Sequence, residues 1–237
     1  MNAQQLNVQI FADGADKNAI MALYQNPVIQ GFTTNPTLMN QAGITDYAAF
    51  ARDLVASIPD RPLSLKVFAD EFDEMERQAR QIASWGANVY VKIPVTNTRA
   101  ESAAPLVAKL TREGIQVNVT ALLTLDQVSE MTDALAGGAP AFISVFAGRI
   151  ADTGRDPVPL MAQAVAILRP YPQIRLIWAS PRELLNIVEA ERIGCHVITA
   201  TPDILAKLPL LGKDLAEYSL DTVKMFRRDA VSSGFTL

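Results

Sequence analysis

Short apolar segments rich in β-branched residues recur along the 237-residue chain at nearly even spacing. Most are continuously apolar rather than alternating, which is typical of strands covered on both faces, as in a parallel sheet. The segments occupy residues 8–12, 31–34, 63–69, 88–95, 116–122, 141–147, 174–179 and 196–200. The pattern therefore predicts buried parallel strands linked by covering elements.

Stretches with helical spacing of apolar residues lie between these segments. Clear examples are residues 70–86, 99–114, 124–138 and 180–194. Eight strand–helix units in a chain of this length predict a single (β/α)8 TIM barrel, whose typical length is about 250 residues. The alternative, an open doubly wound sheet, usually carries a glycine-rich phosphate loop after its first strand, and FADGADKN at residues 11–18 is not such a loop.

No linker rich in Pro, Gly or Ser divides the chain, so a single domain is expected. Residues 1–211 are predicted to form the barrel, and residues 212–237 an additional C-terminal helical extension. The extension carries an apolar stripe that needs to be packed against another protein surface. The stripe comprises Leu215, Tyr218, Leu220, Val223, Met225 and Phe226. It either contacts a neighbouring copy of the chain or folds back on its own barrel.

Composition argues against several classes of function. The net charge is −4 and no basic stripe is present, so no nucleic-acid partner is expected. A single cysteine allows no internal disulfide, and the chain shows neither a signal-peptide pattern nor an apolar run of the roughly 18 residues that a membrane span needs. One histidine and one cysteine argue against a His/Cys metal site. We expect a cytoplasmic protein with no metal and no membrane contact.

Polar side chains collect at the carboxyl ends of the predicted strands, where (β/α)8 barrels carry their active sites. Lys92 lies inside the apolar run NVYVKIPVTN at residues 88–97 and shares a strand face with Tyr90 and Pro94. Burial lowers the pKa of a lysine, and the neutral amine can attack a ketone to form a Schiff base. The alternative is a snorkelling or ion-paired lysine. The other polar residues at these ends are Asp13, Thr33, Thr34, Asn35, Lys66, Asn118, Thr120, Ser144, Arg149 and Ser180.

Four segments of the sequence resemble the transaldolase family, and in particular its short subfamily, which also contains fructose-6-phosphate aldolases. They are GFTTNPTLM at 31–39, VYVKIPVT at 89–96, VNVTALLT at 117–124 and FISVFAGRI at 142–150. The resemblance implies a (β/α)8 barrel, a Schiff-base lysine, no cofactor and a role in carbohydrate metabolism such as the pentose phosphate pathway. It also implies a homo-oligomer, a pentamer or decamer, in which the C-terminal helix packs against a neighbouring subunit.

The resemblance assigns catalytic roles by motif. Lys92 corresponds to the Schiff-base lysine, and Asp13 to the acid/base for the hydroxyl whose deprotonation breaks the C3–C4 bond. Thr120, with Asn118 nearby, would position a water for proton transfer. Substrate-binding roles fall on Thr34, Asn35, Ser144 and Ser180, and on Arg149, whose guanidinium suits a sugar phosphate.

Phe146 bears on the choice between two activities of the family. Members that act as transaldolases tend to carry Phe at this point, whereas fructose-6-phosphate aldolases carry Tyr, whose hydroxyl can help protonate the bound carbanion and release free dihydroxyacetone. Phe146 therefore favours transfer over release. The alternative interpretation of Phe146 is an ordinary core aromatic.

The chain departs from the family pattern at two positions. Lys66 stands where the third strand usually offers Glu or Gln; it would lower the pKa of Lys92 by repulsion, contact an anionic group of the substrate, or simply pair with Asp70 or Asp13. After the seventh strand, WASPREL at residues 178–184 lacks the family's Phe–basic pair. Arg182 either replaces that charge or faces solvent, which leaves a phosphate on the donor open.

The sequence thus predicts a transaldolase-like class I enzyme that transfers a dihydroxyacetone unit from a ketose or ketose phosphate to an aldose acceptor. Its partner would be a small-molecule sugar or sugar phosphate. One alternative is an aldolase of the fructose-6-phosphate type. An alternative of another class is a non-catalytic sugar-binding barrel.

Overall fold

The computed structural model describes residues 3–234, apart from the side chains of residues 4, 36 and 41, so the outer ends of the predicted segments 1–211 and 212–237 lie outside the description. Parallel strands pair in chain order within this range, and the last pairs with the first, which closes the barrel. The strands are β1 Gln9–Asp13, β2 Ile29–Thr33, β3 Leu63–Lys66, β4 Val89–Pro94, β5 Val117–Leu122, β6 Ala141–Val145, β7 Ile174–Trp178 and β8 Val197–Ala200. The predicted (β/α)8 barrel is confirmed.

Helices connect successive strands and cover the outer face of the barrel, and further helices follow the last strand. They are α1 Lys17–Tyr24, α2 Pro36–Gln41, α3 Tyr47–Ser57, α4 Phe72–Ala83, α5 Ala104–Arg112, α6 Leu125–Leu135, α7 Ala147–Ala151, α8 Val158–Leu168, α9 Leu185–Arg192, α10 Pro202–Leu205 and α11 Leu215–Ser232, with 3-10 turns at Ala3–Gln5 and Leu208–Leu210. Hydrogen bonds to side chains fix the residue at which several of these helices begin. Thr124 and Gln127 form a reciprocal capping box at α6, which satisfies backbone donors that the helix itself cannot pair.

The third strand is shorter than the predicted 63–69, because a helix side chain captures the backbone beyond Lys66. The Oε1 atom of Gln78, on α4, accepts the backbone N–H groups of Phe68 at 2.7 Å and Ala69 at 3.1 Å. These amides are therefore unavailable to the sheet. Phe68, two residues after Lys66, would share its inward face in a continuous strand but is instead 51% exposed.

The helix predicted at 99–114 begins only at Ala104, because a loop precedes it. Asn97 Oδ1 accepts the backbone N–H groups of Arg99 and Glu101, each at 3.0 Å, and this turn competes with helix formation. The predicted helices 70–86, 124–138 and 180–194 are likewise shorter at one or both ends. The segment 141–147 leaves the sheet after Val145 and enters α7.

Large apolar side chains close the lower half of the barrel interior. The rings of Phe11 and Phe142 meet edge to face at 5.6 Å, and Tyr90 lies 4.4 Å from Phe142. Ile177, Ala179 and Val197 belong to the same cluster, which is separate from the main core between sheet and helices. We call this cluster the barrel floor.

Inward-facing residues above the floor are mostly polar. Side chains two positions apart share a face of a strand, so each strand that contributes a floor residue contributes its next inward residue one layer higher. These pairs are Phe11 and Asp13, Tyr90 and Lys92, Phe142 and Ser144, and Val197 and Thr199. The two-residue period of the strands thus places the polar layer directly above the apolar barrel floor.

Gly31 makes room for this floor. A Cβ atom at Gly31 would lie 2.6 Å from the ring of Phe11, closer than real Cβ contacts come. Any larger residue would push the ring out of the interior. Glycine at this inward position of β2 therefore allows Phe11 to fill the base while Thr33, two residues later, joins the polar layer.

Helix α11 leaves the barrel with its apolar stripe uncovered. None of its described residues is buried, and Leu215 and Phe226 are 81% and 63% exposed. The alternative in which this helix folds back on its own barrel is therefore wrong. Within the described residues, no helix combines the length and apolar character needed to cross a bilayer.

Candidate active site

A cavity of about 520 Å³ opens at the carboxyl ends of the strands. Its lining includes eight of the predicted site residues, namely Asp13, Asn35, Lys66, Lys92, Phe146, Arg149, Ser180 and Arg182. The remaining four, Thr34, Asn118, Thr120 and Ser144, are buried at the strand ends and are not part of the lining. The sequence-predicted residues therefore converge on one region, in two layers.

Lys92 is the most deeply buried cation of this region. Lys92 is only 7% exposed, and its Nζ donates a hydrogen bond to the carbonyl oxygen of Thr34 at 3.2 Å. Burial lowers the pKa of Lys92, the charge of Asp13 opposes that change, and the charge of Lys66 adds to it. Within residues 3–234, no carboxylate lies within ion-pair distance of Nζ. The surroundings thus favour a neutral amine with a free lone pair.

Asp13 is held by side chains from neighbouring strands. Thr33 donates to its Oδ1 at 2.6 Å, and the amide of Asn35 donates to Oδ2 at 3.2 Å. A second bond joins the hydroxyls of Thr33 and Thr199 at 2.7 Å. Thr33 has one hydroxyl hydrogen and gives it to the carboxylate, so Thr199 must be the donor in that second bond. The carboxylate of Asp13 is therefore fixed by a directed chain that starts on β8.

Asn35 also fixes the helix that follows it. Its Oδ1 accepts the N–H of Leu38 at 3.0 Å as the N-cap of α2, while its amide nitrogen faces Asp13. The cap leaves the amide only one orientation in which both bonds form. The start of α2 and the position of the Asp13 carboxylate are thus coupled through one side chain.

A buried chain of amide and hydroxyl groups crosses the barrel in the lower polar layer. Ser144 donates to Asn118 Oδ1 at 2.7 Å, and Asn118 Nδ2 donates to Ser64 Oγ at 2.9 Å. Both ends of the Asn118 amide are therefore engaged. Ser144 is predicted to hold a substrate hydroxyl. It donates its own hydroxyl hydrogen to Asn118, and its oxygen can still accept a hydrogen bond.

Thr120 has a different environment from its neighbours. Its Oγ1 is buried and has no hydrogen-bond partner among the described residues. An unpaired buried hydroxyl costs free energy. The next residue, Ala121, has a φ of 69°, a left-handed conformation that costs a non-glycine residue roughly 1–2 kcal/mol. Ser180, with a φ of 58°, carries the same kind of strain at the end of β7, so strained backbone lies on two sides of the region.

The rim opposite Lys92 is built by α7 and the loop after β7. The guanidinium of Arg149 lies 5.9 Å from the ring centroid of Phe146, and both line the cavity. A Cβ atom on Gly148 would lie 1.5 Å from the carbonyl oxygen of Ser180, so only glycine lets these two segments meet. Arg182 also lines the cavity, and its charge is engaged in an ion pair with Asp152.

Lys66 lines the cavity without a carboxylate partner. The side chain is half-buried, and burial lowers its pKa. Asp70, one expected partner, instead accepts the backbone N–H of Thr98 at 2.8 Å and its hydroxyl at 2.5 Å. Asp13, the other, lies beyond ion-pair distance. The interpretation of Lys66 as half of a structural ion pair is therefore wrong.

Sequence reasoning missed part of the site. Thr199 lines the cavity and starts the chain to Asp13, yet it was not among the candidates. Thr33 was noted as polar but was not assigned a role. The signal available was the two-residue period, since Thr199 follows Val197 and Thr33 follows Gly31 on inward faces. Thr201 and Asp203 at the rim of the cavity were also missed.

Comparison with known proteins identifies a family and relatives that this chain resembles in sequence. The chain matches the family described as transaldolase/fructose-6-phosphate aldolase over residues 10–237. A protein of Dehalococcoides mccartyi named "Probable transaldolase" is 34% identical over 218 residues, which are 90% of this chain and 97% of that protein. A protein of the same name from Streptococcus pyogenes is 35% identical over 202 residues, 85% of this chain and 90% of its own.

Solved structures share the fold at low sequence identity. A 3-keto-L-gulonate-6-phosphate decarboxylase from Vibrio cholerae superposes with a TM-score of 0.56 at 16% identity, covering 83% of this chain and 88% of its own. A phosphonomutase-like protein from Burkholderia cenocepacia gives 0.57 at 13% identity, with 96% of both chains covered. These similarities concern the barrel alone.

The directed hydroxyl chain predicts an asymmetry between two valine substitutions. Thr33→Val removes the donor to Asp13 and the acceptor for Thr199, so we expect a loss of about 1–3 kcal/mol in the free energy of unfolding. Thr199→Val leaves the bond from Thr33 to Asp13 intact, so it should lower the free energy of unfolding by a smaller amount. The double variant should cost little more than Thr33→Val alone.

Urea unfolding of the three variants and of Thr45→Val, a control at an exposed loop position before α3, measures these changes in the free energy of unfolding. Equal single costs that simply add in the double variant would contradict a directed chain.

Proposed function

The chain belongs to the transaldolase/fructose-6-phosphate aldolase family, and on this premise we propose that it is a metal-independent, transaldolase-like transferase. It would move a dihydroxyacetone unit from a ketose or ketose phosphate to an aldose through a Schiff base at Lys92. The observation that carries the proposal is the buried amine of Lys92 beside a cavity of about 520 Å³, a size typical of small-molecule sites.

The first step requires a neutral amine. Burial lowers the pKa of Lys92, so a larger share of the amine is neutral at a given pH than for an exposed lysine. The lone pair attacks the ketone carbon of the donor, and loss of water from the carbinolamine gives the iminium. The bond from Nζ to the Thr34 carbonyl restricts the amine, which favours attack from one direction.

Asp13 would act on the next step. Its carboxylate takes the proton of the donor's C4 hydroxyl, the C3–C4 bond breaks, and its electrons move into the iminium to form an enamine. The first aldehyde then leaves. When an acceptor aldehyde arrives, the enamine carbon attacks it and Asp13 returns the proton to the new alkoxide. The bonds from Thr33 and Asn35 keep the carboxylate oriented for both transfers.

Thr120 and its neighbours would assist with water and hydroxyl groups. The unpaired buried hydroxyl of Thr120 is suited to hold the water that is released and later consumed at the iminium carbon. Ser144 retains an acceptor for a hydroxyl of the three-carbon unit, and Asn35 keeps a second amide hydrogen for another.

Arg149 would receive the phosphate of a sugar phosphate. Its guanidinium lies at the rim on α7, with no ion-pair partner among the described residues, and the planar fork matches a phosphate. Arg182 is less free for this role because Asp152 already pairs with it. We therefore assign the phosphate end of the donor to the α7 side of the cavity.

An aldolase of the fructose-6-phosphate type is the alternative enzyme. Phe146 lines the cavity and has no hydroxyl to protonate the bound carbanion, which favours transfer. A non-catalytic sugar-binding barrel is the alternative of another class. It gives no reason for an amine buried beside an oriented carboxylate, because binding alone does not need the cost of that burial.

Lys92→Met should abolish covalent capture. Incubation with dihydroxyacetone or fructose 6-phosphate and borohydride, followed by intact mass, is expected to give a single adduct on the wild-type chain and none on the variant. The thermal midpoint should stay equal or rise, because methionine fills the site without a buried amine. Lys109→Met, which removes an exposed lysine on α5, should retain the adduct. An adduct on Lys92→Met would move the nucleophile to Lys66.

Phe146→Tyr should shift the outcome from transfer towards release. A hydroxyl at this cavity position would protonate the bound carbanion before an acceptor arrives. The ratio of free dihydroxyacetone to transferred product, measured with and without an acceptor aldehyde, is expected to rise. An unchanged ratio would mean that residue 146 does not act on the bound three-carbon unit.

We further propose that α11 packs against a second copy of the chain. An isolated helix of this length is marginal in water unless its apolar stripe is covered. That stripe is exposed in the single chain, and no described residue of α11 is buried by its own barrel. The residues expected at the interface are Leu215, Tyr218, Val223, Met225 and Phe226.

Phe226→Glu should therefore lower the assembly mass measured by light scattering, as should deletion of residues 214–237. Arg228→Glu is the control, because Arg228 is exposed and lies about 160° around the helix from Phe226. A mass unchanged in both Phe226→Glu and the deletion would contradict an interface built on α11.

A further inference from the structure

The charges that line the cavity are unevenly paired. Four cationic side chains face two carboxylates there. Arg182 is neutralised by Asp152, and Asp13 is taken up by Thr33 and Asn35. Lys66 has neither a hydrogen bond nor an ion pair from its ammonium group within residues 3–234. One half-buried cation thus faces the cavity with its donors free.

Such a residue is costly to keep. A partly desolvated ammonium loses hydration and gains nothing in return unless a partner supplies charge. The chain has 25 acidic residues, yet none in the described part of the chain lies within ion-pair distance of Lys66. An anion that arrives with a ligand would supply the missing partner, and the site would need no reorganisation to receive it.

The position of Lys66 limits where that anion can be. Lys66 and Lys92 are register partners on the adjacent strands β3 and β4, which places their backbones roughly 5 Å apart. The charge of Lys66 is felt at Lys92. Arg149 lies beyond β6, three strands away around the barrel. An anion at Lys66 is therefore near the carbon that Lys92 attacks and separate from the group that Arg149 would hold.

We propose that Lys66 is a specificity-determining residue that receives an anionic substituent, a carboxylate or a phosphate, carried next to the carbonyl carbon that Lys92 attacks. The inference rests on the proposed Schiff base at Lys92. It changes the three-carbon unit from neutral dihydroxyacetone to an anionic counterpart, which is either a 2-oxo acid or a hydroxyketone phosphorylated beside the carbonyl. These bind through the same ammonium and differ in the anion that they present.

Two matched pairs of ketones test the proposal by borohydride trapping. Dihydroxyacetone and its monophosphate differ by a phosphate, and hydroxyacetone and pyruvate differ by a carboxylate. In the wild-type chain, the anionic member of one pair should reach half-maximal trapping at a concentration about 10- to 100-fold lower than its neutral member. The pair that shows the preference identifies the anion.

Variants assign the preference to Lys66. Lys66→Met should remove it while neutral ketones are still trapped, Lys66→Arg should keep part of it, and Lys109→Met should keep all of it. Thermal midpoints check that each variant folds.

The outcomes separate this inference from the one on which it rests. Equal trapping of neutral and anionic ketones by the wild-type chain would overturn the role of Lys66 alone. So would a Lys66→Met variant that keeps the preference for the anionic ketone and changes only the pH profile shared by both ketones, since Lys66 would then act only through the pKa of Lys92. Failure to trap any ketone would overturn the Schiff base at Lys92 and this inference with it.

Discussion

The two-residue period of strands in a closed barrel is the constraint on which the site depends. It forces each inward apolar residue to be followed by another inward residue one layer higher. Phe11, Tyr90 and Phe142 close the base, and Asp13, Lys92 and Ser144 stand directly above them. The aromatic floor keeps water from reaching the polar layer from below. The same packing that stabilises the barrel therefore removes hydration from the Lys92 amine and makes its neutral form accessible.

Polar groups in such a layer must be paired with one another, and the pairing gives the site its geometry. Hydroxyl and amide hydrogens run in fixed directions, from Thr199 through Thr33 to Asp13 and from Ser144 through Asn118 to Ser64. What these chains leave unpaired is informative. Within residues 3–234, the Lys92 lone pair, the Thr120 hydroxyl and the Lys66 ammonium have no hydrogen-bond or ion-pair partner. The arrangement is thus preorganised, since a ligand meets groups that are already oriented.

The sequence was sufficient for the fold and for the centre of the site, and insufficient for contacts between distant segments. Apolar runs located every strand, and the lysine inside one of them marked Lys92. The early end of β3 depends on Gln78 reaching back from a helix, and the role of Thr199 depends on β8 closing against β1. Neither contact has a local signature. The sequence alone also could not show that Lys66 lacks a partner among the described residues. Its two candidate partners, Asp70 and Asp13, accept hydrogen bonds from other groups instead.

Burial in the barrel interior lowers the pKa of the Lys92 amine below that of an exposed lysine. The chain has seven lysines, so nuclear magnetic resonance with lysine labelled at Cε and Nζ can follow each titration, with Lys92→Met and Lys66→Met identifying the two signals of interest. The structure predicts that burial lowers the pKa of Lys92 and also that of Lys66, so both signals should titrate below those of the exposed lysines. A Lys92 signal that titrates together with the exposed lysines would contradict a pKa lowered by burial and, with it, the neutral amine that the Schiff base requires.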